Sequence, residues 1–389
     1  MFKIEHKVFE YSDPWTKLNY AQRLALLKPK TKRVVYFYEH PDNSTFRYRV
    51  YNMMTVINEL LSEHYSASFF CMLDIDNVDE IINNCDLLVL GRVKYSHKVN
   101  YLITKAKARG IKIGYDVDDL VFNHSYVHLI LNTLDQELNE AAWAHWYGYI
   151  SRHGDVVKMC DFAITTNQYL ADKITDYANI TSYIIPNFLN QEQLDISRDI
   201  MQQKLKSNFA RNDNITIGYF SGTPTHNLDF ALLSEAIILL FNKYDNLRLR
   251  IVGFMEIKGK LHEYLNRIDF VPFQDYVNLQ RYMGEVEINL IPLQVNTFTN
   301  CKSELKYFDA GVCGTVSIAS PTYVYKTAIV DCENGYLAND IEWETKISAV
   351  IDDLVNYHIM AKKAYEHSLE NFAWYNQKEK INALLTMVF

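Results

Sequence analysis

Short apolar runs alternate with amphipathic stretches along most of the chain. The runs are rich in β-branched and aromatic residues and are bounded by turn formers, a pattern typical of buried strands. They predict strands at 34–38, 68–72, 87–90, 111–116, 161–167 and 183–187, and again at 215–220, 247–253, 269–272, 288–293, 315–319 and 328–330. The stretches between them predict helices, among them 50–61, 98–109, 128–158, 228–244, 276–283 and the tail 342–389. Strands that alternate with helices through short connections indicate an α/β fold with doubly wound parallel sheets.

This alternation occurs twice, which predicts two domains. A chain of 389 residues, 49% of them hydrophobic, is longer than one core usually supports. The polar segment 188–213 separates the two series of strands and contains the expected junction. We therefore predict an N-terminal domain at 1–205 and a C-terminal domain at 206–359. The helix at about 360–389 is a candidate to pack back on the first domain.

The segment 300–311 is predicted to be the helix of a βαβ unit. On a helical wheel, Cys301 begins the narrow apolar stripe that would pack on the sheet. Lys302, Lys306 and Asp309 lie on an adjoining stripe that is free to meet a ligand. A helix that begins here offers unpaired N–H groups and the positive end of its dipole, and the lysines add to that field. We therefore expect an anion, most simply a diphosphate.

Three carboxylates, Asp116, Asp118 and Asp119, follow the fourth predicted strand. Paired aspartates suit Mg²⁺ or Mn²⁺ held against phosphates, but Asp-x-Asp is a short pattern that recurs by chance. The alternative, which we favour, is that Asp118 or Asp119 caps the following helix while Asp116 faces the cleft. We accordingly expect no metal site.

The loop 39–49 ends in Arg47 and Arg49. It is rich in turn formers and follows the first strand, at the carboxyl edge of the predicted sheet, where open α/β folds bind ligands. The two arginines either reach an anionic group there or form surface ion pairs. The pattern leaves both alternatives open.

A loop of small residues, 221–227, follows the first strand of the second half. Small residues such as Gly222 and Thr223 let backbone N–H groups approach an anion closely. The loop has neither the Walker Lys-Ser/Thr pattern nor GxGxxG. A P-loop hydrolase and ordinary dinucleotide binding are both disfavoured.

Charge and cysteine content exclude several classes of protein. The 39 basic and 47 acidic residues give a net charge of −8, which offers no footprint for general nucleic-acid binding. The six cysteines show no CxxC or paired spacing, so they suggest neither a zinc site nor disulfides and fit a reducing compartment. No leader-peptide pattern and no long apolar stretch is present. We therefore expect a cytoplasmic protein, and peripheral contact with the inner face of the membrane stays open.

Several short segments match one known family. They are 217–223, 250–253, 289–293, 302–311 with Gly314, and 331–337, and more loosely 115–119 and 185–187. Together they resemble the retaining GT-B glycosyltransferases of glycosyltransferase family 4. The resemblance covers most of the chain and is strongest in the second half. It implies two Rossmann-like domains that face each other across a cleft, with a nucleotide-diphosphate sugar on the second and the acceptor on the first.

The resemblance also implies where the donor is held. Asp309 stands where the family has the second Glu of its Glu-x7-Glu motif, which binds the ribose hydroxyls. The first Glu of that motif falls on Cys301, so Glu304 or a main-chain group substitutes for it, or the sugar is held differently. The family's Arg and Lys pair at the start of this domain is also missing. Lys302 and Lys306 are candidates to supply the phosphate charge, and the alternative is a solvated helix face.

From these arguments we predict two groups of site residues. The catalytic candidates are Lys302, Glu304 and Asp116; the candidates for the donor nucleotide are Gly222, Thr223, Lys302, Ser303, Lys306 and Asp309. His124 is a weaker candidate for the acceptor side. We expect no cofactor, since basic side chains and helix dipoles would take up the charge of the leaving diphosphate.

The implied activity is that of a metal-independent retaining transferase, hexosyl or deoxyhexosyl. It would move a sugar from a nucleotide diphosphate to a glycan or lipid-linked acceptor, as in the synthesis of bacterial surface polysaccharide. One rival is a non-catalytic GT-B partner subunit of another transferase, which the altered Glu-x7-Glu motif supports. A second rival is a nucleotide-sugar epimerase of similar two-domain shape.

Overall fold

The computed structural model describes residues 1–5, 7–42, 44–133, 139–222 and 227–389. It contains two six-stranded sheets. The strands of the first sheet are β1 (Lys32–Tyr38), β2 (Tyr65–Cys71), β3 (Leu87–Gly91), β4 (Lys112–Asp116), β5 (Phe162–Thr165) and β6 (Thr181–Ile184). Those of the second are β7 (Ile215–Ser221), β8 (Leu247–Gly253), β9 (Ile268–Val271), β10 (Ile288–Ile291), β11 (Val316–Ala319) and β12 (Tyr336–Leu337).

The helices of the first half are α1 (Tyr20–Ala25), α2 (Asn52–Leu60), α3 (Val78–Asn83), α4 (His97–Ala108), α5 (Val127–Leu131), α6 (Glu140–Met159), α7 (Gln168–Ala178) and α8 (Gln191–Lys206). Those that follow are α9 (Asn227–Ala231), α10 (Ser234–Lys243), α11 (Tyr276–Glu285), α12 (Thr297–Asn300), α13 (Leu305–Gly311), α14 (Tyr323–Ala328), α15 (Trp343–Asp352), α16 (Tyr357–Phe372) and α17 (Lys378–Val388). A wide π-helical turn, Arg47–Tyr51, leads into α2.

Strand order places the functional edge of each sheet. The first sheet has the order β2-β1-β3-β4-β5-β6 and the second β12-β11-β10-β7-β8-β9, and neighbouring strands are parallel. The carboxyl ends of all strands in a sheet therefore lie along one edge. The order reverses beside β1 in the first sheet and beside β7 in the second, and open α/β folds bind ligands at such switch points.

Each sheet is covered on both faces because successive side chains of a strand point to opposite sides. In β1, Val35 and Phe37 join the apolar cluster that contains α4 and α7, whereas Val34 and Tyr36 join the cluster that contains α2. This two-sided burial explains why the strands read as continuous apolar runs rather than as alternating patterns.

The described residues of the chain cross between the domains three times. The first crossing follows the N-terminal segment, since Phe2 belongs to an apolar cluster of the second domain and pairs with Arg211. Helix α8 packs on α11, and its Leu194 and Ile200 belong to an apolar cluster of the second domain. The second crossing therefore precedes α8. At the other end, Ile381 and Leu384 of α17 belong to the cluster that contains α2, so the tail returns to the first domain.

Several predicted elements differ from the observed ones, and the helices predicted at 228–244 and 342–389 are divided into shorter ones. The segment 328–330 is not a strand: Ala328 ends α14, and the next strand is β12. The predicted helices 128–158 and 300–311 are each divided, the latter between α12 and α13. Among the helices of the described ranges, none has the length and apolar content needed to cross a membrane.

Candidate functional site

A cavity of about 450 Å³ lies between the two domains. Its walls come from the carboxyl ends of β7 and β8, from α11 and α13, and from the turn before α2 in the first domain. Both switch points border it, since that turn follows β1. The volume is in the range of small-molecule sites. This cavity is the candidate functional site.

The ends of β7 and β8 bring backbone close to the cavity. Gly222 lines it and has no heavy atom within 4 Å of the place where a Cβ would stand. Gly253 has a φ of 100°, and a Cβ there would overlap the carbonyl oxygen of Ser221. Glycine is required at that close approach. Gly222 thus lies where we expected it, whereas Thr223 lies outside the described residues.

Asp309 lines the cavity from α13. The residue is buried, and its Oδ1 accepts a hydrogen bond from Nε2 of Gln193 at 3.2 Å. Burial raises the pKa of Asp309 to about 7, and the nearby Arg47 guanidinium opposes that rise. The pair Asp309 and Gln193 therefore presents a carboxyl group that titrates near neutrality to any ligand in the cavity.

Lys306 lines the same cavity, one helical turn before Asp309. Its Nζ lies 5.4 Å from the ring centroid of Tyr219, and burial lowers its pKa to about 8, an effect that the charge of Asp229 opposes. An ammonium group in such a place gains more from an anionic ligand than one in water does, because the surroundings screen the attraction less. Lys306 and Asp309, which we predicted to share a ligand-facing stripe, thus both line this cavity.

Arg47 closes the cavity from the first domain. It is 3% exposed, its Nη2 donates to Oδ1 of Asp13 at 2.9 Å, and its guanidinium lies over the ring of Tyr276. Within the described residues its Nε has no hydrogen-bond partner. Of the two alternatives for this arginine, a buried position that can reach an anionic ligand fits the structure, and a surface ion pair does not.

The loop between α12 and α13 differs most from the prediction. The expected helix start near Asn300 is wrong, since α12 begins at Thr297 and is capped by Asn296, whose Oδ1 accepts from the N–H of Thr299 at 3.0 Å. Nδ2 of Asn167, in the first domain, donates to the carbonyl oxygens of Cys301 at 3.3 Å and of the next residue at 3.2 Å. These bonds hold the loop in a non-helical turn.

Two predicted donor-site residues, Lys302 and Ser303, lie in this loop together with Cys301, and none of the three lines the cavity. Nζ of Lys302 lies 3.6 Å from Oδ2 of Asp119, an ion pair that joins the two domains. Oγ of Ser303 accepts from Nδ2 of Asn187 at 3.0 Å. Cys301 is fully buried in an apolar cluster of the first domain, and not on the sheet of its own domain as the helical wheel suggested.

Asp116 does not face the cleft. It is fully buried, and Arg49 donates to both of its carboxylate oxygens, Nε to Oδ1 at 2.6 Å and Nη2 to Oδ2 at 3.2 Å. Arg49 also donates to the carbonyl oxygen of Ile185 at 2.7 Å. The pair is an internal clamp between β4 and the turn before α2. This corrects the expectation of a cleft-facing Asp116, and the buried pair is not the surface ion pair that was one of the two alternatives for Arg49.

The other two aspartates are also paired with basic side chains. Asp118 lies 3.4 Å from Nη1 of Arg92, and Asp119 pairs with Lys302. Neither caps a helix, because the short helical turn that follows is capped by Asn123. Within the described ranges, no group of three or more His, Cys, Asp or Glu residues is arranged to hold a metal ion.

Two further residues of the site went unpredicted. Gln193 of α8 contacts both Asp309 and the hydroxyl of Tyr48, which accepts from its Nε2 at 3.4 Å. These contacts span 116 and 145 positions of sequence. Tyr48 lies in the loop that we considered for its two arginines, so its position was a usable signal. Gln193 lies in the first turn of a polar helix, where no sequence pattern marks a glutamine as a site residue. His124, the weaker candidate, is half-buried with its ring 5.1 Å from that of Tyr147.

Comparison with known proteins rests on structure. No protein-family model matches the chain, and no curated protein does. Among solved structures, the chain is similar to sucrose-phosphate synthase from Thermosynechococcus elongatus, at 12% identity and a TM-score of 0.60 over 92% of this chain and 99% of that one. It is similar to HepE of Anabaena in complex with UDP and glucose, at 13% identity and a TM-score of 0.58, over 92% of this chain and 100% of that one. It is also similar to a glycosyltransferase from Rickettsia africae, at 12% identity and a TM-score of 0.59, over 92% of this chain and 98% of that one.

At such identities the likeness establishes the fold. The neighbours are GT-B glycosyltransferases, and nearly the whole of each is covered. The predicted fold class is confirmed: the chain has a GT-B architecture, in which two Rossmann-like domains face each other across a cleft.

Proposed function

We propose that the protein is a glycosyltransferase that takes a sugar from a nucleotide diphosphate, and that the nucleotide binds in the cavity between the domains. The observation that carries the proposal is the pair Lys306 and Asp309, which line that cavity one helical turn apart. An ammonium group suits a diphosphate, and a carboxyl group suits the two hydroxyls of a ribose. The Gly222 backbone, which also lines the cavity, offers the close approach that phosphates need.

The structural neighbours support a nucleotide sugar as donor. HepE was solved with UDP and glucose, and its fold covers almost all of this chain. UDP is therefore the first nucleotide to test, although the chemistry of the cavity suits any nucleoside diphosphate.

The finer features of the proposal come from the family resemblance. They are retention of anomeric configuration, membership of glycosyltransferase family 4, a hexosyl or deoxyhexosyl donor without a metal requirement, and a glycan or lipid-linked acceptor in surface polysaccharide synthesis. In such a reaction the protein positions the substrates and stabilises the leaving phosphate. Lys306 and Arg47 are the basic side chains at the cavity that fit the second task.

Thermal-shift titration of the full chain tests this directly. UDP, dTDP, GDP and uridine are compared on the wild type, on Asp309→Asn and on the exposed control Asp340→Asn. We expect saturating stabilisation by one diphosphate, weakened in Asp309→Asn and unchanged in the control. Absence of any response would contradict a nucleotide site. Nucleotide release that requires an added acceptor separates a transferase from an epimerase.

One observation favours a second candidate, a non-catalytic GT-B subunit that assists another transferase. Where the family places a sugar-binding glutamate, this chain has Cys301, buried in the first domain, and the adjacent Lys302 is paired with Asp119. Sugar and phosphate contacts expected in this loop are replaced by contacts between the domains.

The two candidates respond differently when this ion pair is broken. For a transferase, Asp119→Ala and Lys302→Ala should both keep a saturable response to UDP, because neither residue lines the cavity. A loss of affinity for UDP alone in Lys302→Ala would instead give Lys302 a phosphate role. For the assisting subunit, UDP gives no saturable response in the wild type or in either variant. Equal changes for UDP and uridine would exclude a phosphate role for Lys302.

A further inference from the structure

A second cavity, of about 350 Å³, is lined by Glu304 of the loop that precedes α13. It shares no described lining residue with the first cavity. Three parts of the chain enclose it: the first domain around Asn167 and Pro186, the second domain at Glu304 and α14, and the returning helices α16 and α17. A ligand bound there would contact both domains and the segment that crosses between them.

Glu304 is the unusual residue of this cavity. It is 8% exposed, and its Oε2 has no hydrogen-bond partner in the part of the chain that the structure describes. Burial raises the pKa of Glu304 to about 7, and the positive charges of Lys380 and Arg49 oppose the rise. A buried oxygen that lacks a partner costs free energy, so it calls for an explanation, and a ligand that donates a hydrogen bond is one.

Apart from Lys380 and His367, the rest of the described lining is neutral and of mixed polarity. Gln168 and Asn371 contribute amides, and Thr327 contributes a hydroxyl. Phe372 contributes apolar surface, and Tyr323 is 37% exposed, with its ring 5.5 Å from that of Tyr169. An aromatic face beside amide and carboxyl groups suits a ligand that has apolar faces and a rim of hydroxyls.

We propose that this second cavity binds a sugar residue, whose hydroxyls donate to Glu304 and to the amides while an apolar face of the ring packs on Tyr323. A charged ligand fits less well. An anion would be repelled by the Glu304 carboxylate, and a cation would be repelled by the ammonium of Lys380, with one carboxyl group among the described lining residues to bind it. The volume suits a ligand of this size.

The inference goes beyond the proposed function because it requires neither a nucleotide nor sugar transfer. It adds a carbohydrate subsite at the place where the domains and the tail meet. A sugar bound there would hold the two domains in one relative arrangement, and a glycan chain could be gripped away from the place of reaction.

Saturation-transfer NMR on the full chain provides the test, with glucose, galactose, mannose and N-acetylglucosamine as separate probes. Thr327→Trp fills the cavity from an exposed position, and Lys326→Trp, exposed on the same helix but not lining the cavity, is its matched control. Glu304→Leu keeps the side-chain volume and removes the unpaired oxygen, so folding is expected to be preserved. Asp309→Asn probes the first cavity.

We expect transfer to at least one of the sugars in the wild type, in Lys326→Trp and in Asp309→Asn. Transfer should be lost in Thr327→Trp and reduced at least several-fold in Glu304→Leu. Two results would overturn the proposal: no transfer to any of the sugars at tens of millimolar, or transfer that survives in Thr327→Trp. UDP titration of the same variants separates the two sites, since failure of the nucleotide proposal leaves this sugar pattern unchanged.

Discussion

The guanidinium carbon of Arg47, in the first domain, lies 3.5 Å from the ring centroid of Tyr276, in the second. The same guanidinium is paired with Asp13 and lines the cavity between the domains. Arg47 thus joins the two domains at the edge of the proposed nucleotide site. A desolvated cation on an aromatic face contributes about 2 kcal/mol or more.

Replacing Arg47 by lysine tests this contact. Lysine keeps the charge but loses the planar group that stacks on the ring and donates to Asp13. We expect the free energy of unfolding in urea to fall by about 1 kcal/mol. Arg198→Lys, at an exposed ion pair, is the control and should change it by well under that amount. Equal effects of the two substitutions would argue against a special role for the stack.

The raised pKa of Asp309 predicts a pH-dependent effect of Asp309→Asn. Burial raises that pKa to about 7, whereas the unfolded chain titrates near its ordinary value. Between these values the native state holds a proton that the unfolded state has lost, so the wild type loses stability as pH rises through this window. Asparagine does not titrate.

Asp309→Asn should therefore be close to the wild type at about pH 4 and more stable than it at about pH 8, in the absence of nucleotide. Thermal unfolding at several pH values measures the difference. The exposed substitution Asp340→Asn should give a difference that does not change over this window. A constant difference for Asp309→Asn would show that burial does not perturb this carboxyl.

The lowered pKa of Lys306 predicts the pH dependence of nucleotide binding. Burial lowers that pKa to about 8, so free Lys306 loses its proton as pH rises through this value. A neutral amine attracts a diphosphate less, and affinity for UDP should fall above about pH 8 while affinity for uridine does not. Calorimetric titration at two pH values measures both affinities.

Lys306→Met should lower the affinity for UDP and remove that part of its pH dependence. Lys362→Met, an exposed lysine on α16, should leave both unchanged. If Lys306→Met lowers the affinity for UDP and the affinity for uridine equally, Lys306 packs against the nucleoside and does not contact the phosphates.

The clamp between Arg49 and Asp116 predicts a large structural effect without a direct catalytic one. Both side chains are fully buried. Asp116→Asn leaves a buried guanidinium without its carboxylate, which should cost about 3–5 kcal/mol. The double variant Arg49→Met with Asp116→Leu removes both charges and should cost less than the single one. Urea unfolding decides, and a milder effect for Asp116→Asn than for the double variant would contradict the clamp.

Much of the architecture follows from local pattern. Strands of a parallel sheet that is covered on both faces must be apolar on both sides. Continuous apolar runs such as 34–38 and 288–293 can therefore be recognised as strands from the sequence. The restart of the alternation at 215 indicated the second domain. The sequence also predicted that Lys306 and Asp309 lie on one side of a helix, since residues three apart are neighbours on a helix surface.

The sequence by itself determined the fold class and two of the side chains that line the cavity, because apolar runs and helical spacing are properties of neighbouring residues. Tertiary structure alone decided that residues 301–304 form a loop. There the side chain of Asn167, in the first domain, donates to two carbonyl oxygens that would otherwise accept hydrogen bonds within a helix. It also decided that Arg49 is buried against Asp116, that Lys302 pairs with Asp119, and that Gln193 meets Asp309. Each of these contacts joins residues far apart in the chain, and no local pattern specifies the partner that the fold brings to a side chain.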